Sequence, residues 1–319
     1  WLQGLYDDTA VGIIVGEGTE SQVVIVDLIT GRMRQISSAV DTAYKASARI
    51  SGRWVVWIES IRTPEGRWEY WLKGYDLEQN HEFRLDAVPV GVEDMWGDVV
   101  VWVEREKSPS PYCQGNVLAQ NLATGQKWTV ATSLFCSAYP RIFGMWVIYM
   151  KPGENWDEIK DQKYGKYLDL RAHHLETGED LLIGEVPLPP DASAGTHHAI
   201  VGNKVVWIRH LPNYETELRV YDLETRTDRP LILSDGRRIT SFLELFGDNA
   251  LLVEGTTIYS LEDGRLLGVI DTSAVKGHLS LTTSGSGVYV SGNRVVLSTE
   301  EESASGEVIS RLYTLQLGR

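Results

Sequence analysis

Short apolar runs alternate with polar, Gly-centred turns along the whole chain, and helical periodicity is nearly absent. One phrase recurs. A Gly turn leads into an apolar run that often ends in an aromatic; a variable loop follows, then a second apolar strand that closes on Leu. The clearest copies are Gly52-Arg-Trp-Val-Val-Trp57 with Gly74-Tyr-Asp-Leu77, and Gly202-Asn-Lys-Val-Val-Trp207 with Val220-Tyr-Asp-Leu223.

The register holds position by position. The Gly falls at Gly52, Gly97, Gly144, Gly202, Gly247 and Gly292, and five residues on stand Trp57, Trp102, Tyr149, Trp207, Leu252 and Leu297. The closing Leu falls at Leu28, Leu77, Leu122, Leu175, Leu223, Leu261 and Leu315. These seven Leu set a period of about 48 residues, the length of a four-stranded propeller blade. The first copy lacks the Gly and reads Val11-Gly-Ile-Ile-Val15 instead.

Each copy divides into four strands. In the second they are expected at residues 44–50, 54–61, 69–77 and 81–85. Short polar turns join the last two strands: Ile29-Thr-Gly31, Ala123-Thr-Gly125, Glu176-Thr-Gly178, Glu224-Thr-Arg226 and Glu262-Asp-Gly264. Gly there supplies the positive φ of a tight hairpin. Four strands paired only with their neighbours cannot bury both faces, and radial stacking of such sheets hides them. Residues 155–162, the best helical candidate, read as a charged loop. The expected fold is all-β, a seven-bladed β-propeller in one domain over 1–319. Its blades span about 1–38, 44–87, 90–133, 137–186, 195–235, 239–272 and 279–319.

The repeated phrase, Gly-x-x-Val-Val-Trp followed by Val-Tyr-Asp-Leu-x-Thr-Gly, resembles the TolB-like or WD40-like propellers of bacterial and archaeal surfaces and periplasms. The resemblance covers the whole chain. It implies the fold and, more loosely, a binding or scaffolding role; some such propellers precede peptidase domains. No Gly-x-Ser-x-Gly nucleophile turn occurs in this sequence.

The strand count leaves the last copy short. Its strands are expected at 287–291, 294–299 and 309–317, with none beyond. Residues 1–6 supply a single strand, either the first of blade one or the outermost of blade seven. A three-stranded blade or a misplaced boundary accounts for this. So does a partner strand added to an open edge, which from a second copy would build a filament.

Composition narrows the partners. A formal charge of −14 opposes nucleic acid, whose phosphates need a basic patch. No run reaches the roughly 18–20 apolar residues of a membrane helix. The chain begins at Trp1 rather than Met, which fits a processed, secreted or periplasmic product. Eleven Trp and fourteen Tyr against five Phe suit half-buried strands with wet edges.

Candidate chemistry is sparse. Cys113 and Cys136, the only cysteines, are expected to form a disulfide in an oxidising compartment, the alternative being two unrelated buried thiols. His173-His174 and His197-His198 are adjacent pairs whose members point to opposite faces of a strand. His197 and His198 are weak metal candidates; surface or structural roles come first. No cofactor is expected. Nothing pairs the many carboxylates as in a glycosidase, and the 157–169 loop lacks EF-hand spacing. Trp57, Trp102 and Trp207 share one repeat position and read as core. Trp1, Leu2, Leu5, Tyr6, Trp68, Trp71, Leu315 and Leu317 are the interface candidates, with Trp68 and Trp71 foremost.

Two functions compete. One is a non-enzymatic secreted or cell-surface propeller for protein interaction or self-assembly, with filaments built through edge strands. The other is a carbohydrate-active enzyme or sugar-binding propeller with a site at the central channel.

Overall fold

A computed structural model describes residues 2–15, 21–38, 43–85, 89–105, 114–135, 138–152, 167–187, 198–211, 215–236, 244–246, 250–253, 257–269, 278–279, 281–282, 285–286, 288–291, 294–302 and 308–316. The described chain is strands and turns without helix, as the apolar pattern requires. It forms seven four-stranded antiparallel sheets and one two-stranded hairpin. Two compact units contain them, residues 1–136 with 275–319, and residues 137–274.

The first unit holds sheets one, two, three and seven. Sheet one runs Leu2–Tyr6, Thr9–Val15, Ser21–Asp27 and Met33–Gln35; sheet two runs Ala43–Ser51, Trp54–Arg62, Trp68–Asp76 and His81–Leu85. Sheet three runs Pro89–Trp96, Val99–Arg105, Gln114–Asn121 and Lys127–Phe135. The segment left open by the sequence, Leu2–Tyr6, is the first strand of sheet one and pairs with Thr9–Val15. Sheet seven is narrower: His278–Leu279 and Val288–Ser291 pair with successive stretches of Arg294–Glu302, whose other side pairs with Val308–Gln316. The second unit holds sheets four, five and six, which start at Arg141, His198 and Glu244 and end at Pro187, Pro230 and Val269.

The Gly-to-Leu register has a local cause. Gly52, Gly97, Gly144 and Gly202 take left-handed φ values of 54–59° in the first turn of their sheets. Asp7, at φ 49°, fills that place in the first copy. The recurring Leu then closes the loop: the amide of Leu28, Leu77, Leu122, Leu175 or Leu223 donates to the carbonyl of Asp8, Arg53, Asp98, Met145 or Asn203 at 2.7–2.9 Å. The Asp before that Leu caps the next turn. Asp27 Oδ1 accepts from the amides of Ile29 and Thr30, and Asp76, Asn121 and Asp222 do the same in their sheets. Such side-chain-to-backbone bonds fix a turn independently of tertiary packing.

Sheets stack face to face within each unit, and sheet two is apolar on both sides. Sheet two packs Val55, Trp57 and Tyr75 against Val11, Ile13, Val23 and Ile36 of sheet one. Its opposite face packs Trp54, Val56 and Leu72 against Val92, Met95, Val100 and Trp102 of sheet three. In the second unit Trp207 of sheet five lies among Ile148, Leu170, Ala172 and Ile183 of sheet four. The repeat Trp residues are core: Trp57, Trp102 and Trp207 are at most 2% exposed.

Candidate functional site

The chemistry of the described residues concentrates at one end of sheet two, and a bulge decides how. From Ser51 to Arg49 the first strand pairs regularly with the second; between Arg49 and Ala46 the register shifts, with Ser47 at φ 54°. One residue is thereby added and the strand beyond changes face. Ile50 packs on sheet one, and after the bulge Lys45 faces sheet one as well, although their spacing alone would set them on opposite sides. Tyr44 is turned out.

On the sheet-one side the bulge buries a charged relay. Lys45 stands opposite Glu59 in register, and their side chains are 0% and 2% exposed. Lys45 Nζ donates to the Ser21 carbonyl at 3.0 Å and lies 3.7 Å from Glu59 Oε2. Glu59 Oε1 lies 3.6 Å from Lys73 Nζ, which in turn reaches Glu82 Oε1 at 2.8 Å. Glu82 also accepts from the Ser38 amide at 2.8 Å and the Ser38 hydroxyl at 3.2 Å. Ser21 Oγ donates to the Lys45 carbonyl and accepts from the Lys45 amide. The Lys45 ammonium is thus bonded to the Ser21 carbonyl rather than to its hydroxyl. The pair is an anchor between sheets and not a nucleophile with its base.

Burial presses the Glu82 carboxyl upward, but the hydrogen bonds from Lys73 and Ser38 outweigh it and hold Glu82 below the usual carboxylate range. Burial likewise presses Lys73 downward, and Glu82 and Glu59 carry it above the usual lysine range. A carboxyl lowered by folding stabilises the protein above its unfolded pKa, and that contribution is lost as pH falls through the folded value. Stability of the native chain should therefore drop on acidification below about pH 4.5. Glu82→Gln should flatten that acid limb, measured as unfolding midpoint against pH; an unchanged limb would remove Glu82 from the acid response.

The other face of the same strand ends is aromatic. Tyr44 and Tyr70 flank Ser60 in one cross-strand row. Tyr44, Trp68 and Tyr70 are 49%, 50% and 42% exposed. Two ladder steps set the two Tyr backbones about 9.6 Å apart. The result is a broad aromatic surface on strands whose reverse side is pinned by the buried ions.

The residues singled out in the sequence scatter. Trp68 belongs to this surface, but Trp71 projects from the opposite face, half-buried under the Arg84 guanidinium 2.9 Å from its ring centre. The two do not form one interface. Leu2 is buried against Ala10 and Val296 with Leu5 beside it, so both are packing residues; Tyr6 is 38% exposed. His198 is buried, its Nε2 2.7 Å from the Tyr139 carbonyl, a link from sheet five to the segment that leads into sheet four. Among the described residues no three His, Cys, Asp or Glu gather as metal ligands. Trp1, Cys113, Cys136, His197, Leu317 and the side chain of Leu315 lie outside the described residues, as do residues 157–166 of the 157–169 loop, whose last three residues open the third strand of sheet four. The ladder of sheet three ends at Gln114 opposite Phe135, one residue from each cysteine. Lys45, Glu59 and Tyr44 were missed by the sequence reading. The signal available was a Lys and a Glu inside otherwise apolar strands.

No family model matches the chain and no curated protein does. Solved structures do. Oligogalacturonate lyase from Vibrio parahaemolyticus superposes with a TM-score of 0.59 at 11% identity, over 98% of this chain and 88% of that one. The β-propeller domain of the trilobed protease from Pyrococcus furiosus, reported to have an open velcro topology, gives 0.57 at 11% identity over 88% and 82%. Acylaminoacyl peptidase from Pyrococcus horikoshii gives 0.58 at 11% identity over 89% and 47%, so this chain spans about half of that peptidase. At such identities the shared property is the fold: the chain is an all-β propeller. The TolB-like or WD40-like resemblance holds at that level. The non-enzymatic reading, self-assembly included, does not hold. The similar propellers reported are mostly parts of peptidases, with an oligogalacturonate lyase beside them. The described residues contain no helix that could cross a membrane.

Proposed function

We propose that this chain is the propeller of a peptidase-type enzyme, holding substrate while another domain supplies the bond-breaking groups. The observation that carries this reading is its superposition, over 87–99% of its length, on peptidase chains of which it matches only 46–53%. The sequence has no Gly-x-Ser-x-Gly turn, so on this reading the nucleophile belongs to polypeptide outside it. Tyr44, Trp68 and Tyr70 are the assigned substrate contacts, because exposed aromatics on a rigid backing give contact area at small entropic cost.

The test uses the native polypeptide that carries this propeller, treated with a fluorophosphonate probe and assayed on acetylated amino-acid p-nitroanilides. Labelling and hydrolysis are expected. Alanine at Tyr44, Trp68 and Tyr70 together should raise KM about tenfold and leave kcat nearly unchanged. A polypeptide that takes no label and cleaves no anilide overturns the reading.

A carbohydrate-active or sugar-binding propeller is the second reading. It is favoured by the lyase match, which takes in 88% of that enzyme. Release of reducing ends from a polysaccharide, with no anilide hydrolysis, would select it.

A further inference from the structure

Sheet three breaks a charge pattern that three other sheets keep. In sheets two, four and five the aromatic at the repeat position stands opposite a cation on the third strand: Trp57 with Lys73, Tyr149 with Arg171, Trp207 with Arg219. Each cation reaches an acid on the fourth strand, Glu82 at 2.8 Å, Asp180 at 2.8 Å and Asp228 at 2.7 Å. Those acids stand opposite Tyr75, His173 and Tyr221, two residues along the third strand from the cation. In sheet three, Trp102 stands opposite Leu118, and the acid's place, opposite Gln120, is taken by Lys127. The cation has become apolar and the acid has become basic.

A cavity of about 190 Å³ opens there, lined by Trp102, Glu104, Leu118, Lys127, Trp128 and Thr129. Lys127 is exposed and forms no ion pair among the described residues. Trp102 is 1% exposed, and its indole N–H has no acceptor; the buried Gln120 Oε1 has no donor. Trp57 and Trp207 share the unpartnered N–H. What is particular to sheet three is therefore Lys127 and the opening beside it.

We propose that this cavity binds a small monocarboxylate with a flat apolar body. The Lys127 ammonium supplies the charge for the carboxylate. Trp102 N–H donates to one of the ligand's oxygens, so a stranded donor in the cavity lining is satisfied. Leu118 and Trp128 provide the apolar wall. Glu104 lies two residues along the strand from Trp102, on the side away from the Lys127 row, and repels a second carboxylate. The volume exceeds the roughly 150 Å³ known to hold a benzene ring, which sets the size at one ring and its substituents.

Mandelate is a suitable probe, read by saturation-transfer NMR and calorimetry on the full chain. It is expected to bind, with mandelamide at least about tenfold weaker because the charged contact is lost. Lys127→Gln, a surface change, should weaken mandelate to a similar degree. Leu118→Arg with Lys127→Glu rebuilds the ion pair of the other sheets and should abolish binding while preserving the fold. The proposal is overturned if mandelate does not bind, if mandelamide binds equally well, or if Lys127→Gln has no effect. It is overturned also if a crystal grown with mandelate shows only water on Trp102 Nε1 and beside the Lys127 ammonium. The Lys127→Gln result stands by itself should the double variant fail to fold.

Discussion

Lys45→Met is expected to destabilise the protein by about 3–5 kcal/mol, because it removes one partner of a buried ion pair and strands the other. Lys45 and Glu59 are almost wholly enclosed, and Glu59 Oε2 accepts no hydrogen bond. Its other oxygen retains Lys73 at 3.6 Å, which places the loss toward the lower end of that range. The Ser21 carbonyl loses its donor as well. Lys45→Met with Glu59→Leu removes both charges and should recover most of the loss, to within about 1 kcal/mol of the parent, as apolar replacement of whole buried pairs commonly does. Urea midpoints at constant slope decide between these outcomes. A single variant as stable as the parent would mean that the relay is solvated in solution and anchors nothing.

Trp207→Ala should cost about 3–5 kcal/mol in the same measurement, the usual range for emptying a large aromatic site. Trp207 is 2% exposed, and its ring lies over Gly184 on the fourth strand of sheet four; a Cβ added at Gly184 would meet it at 2.5 Å. Gly184→Val should therefore be destabilising by about 1–3 kcal/mol through overpacking. The two effects should not add. With the ring gone, the Val side chain has room and refills part of the cavity, so the double variant should be more stable than the sum of the single losses predicts. Strict additivity would show that the ring and the Gly do not touch, and would undo the account of how sheets four and five pack.

Much of the fold is legible because its determinants are local. The Gly or Asp at φ near 55°, the Asp that caps the following turn and the Leu amide that closes the loop act over a few residues. The spacing of those signals alone implies repeated sheets. The shared position of Trp57, Trp102 and Trp207 likewise marks them as core, since equivalent places in stacked sheets meet equivalent surroundings.

The candidate site is not legible in that way. Strand alternation sets Lys45 and Ile50 on opposite faces, and a single extra residue around Ser47 sets them on the same one. No Gly or Pro marks the bulge, so nothing in the sequence tells that Lys45 goes inward to Glu59 and Tyr44 outward to Tyr70. The separation of Trp68 from Trp71, three residues apart on one strand, follows from alternation alone.

The sequence by itself determined the spacing of the repeats, the turns and the buried Trp positions, since each depends on backbone geometry within one hairpin. Only the tertiary structure decided which face each polar side chain occupies and what meets it from the next sheet. Those outcomes depend on one bulge and on packing between segments far apart in the chain, to which local propensity is blind.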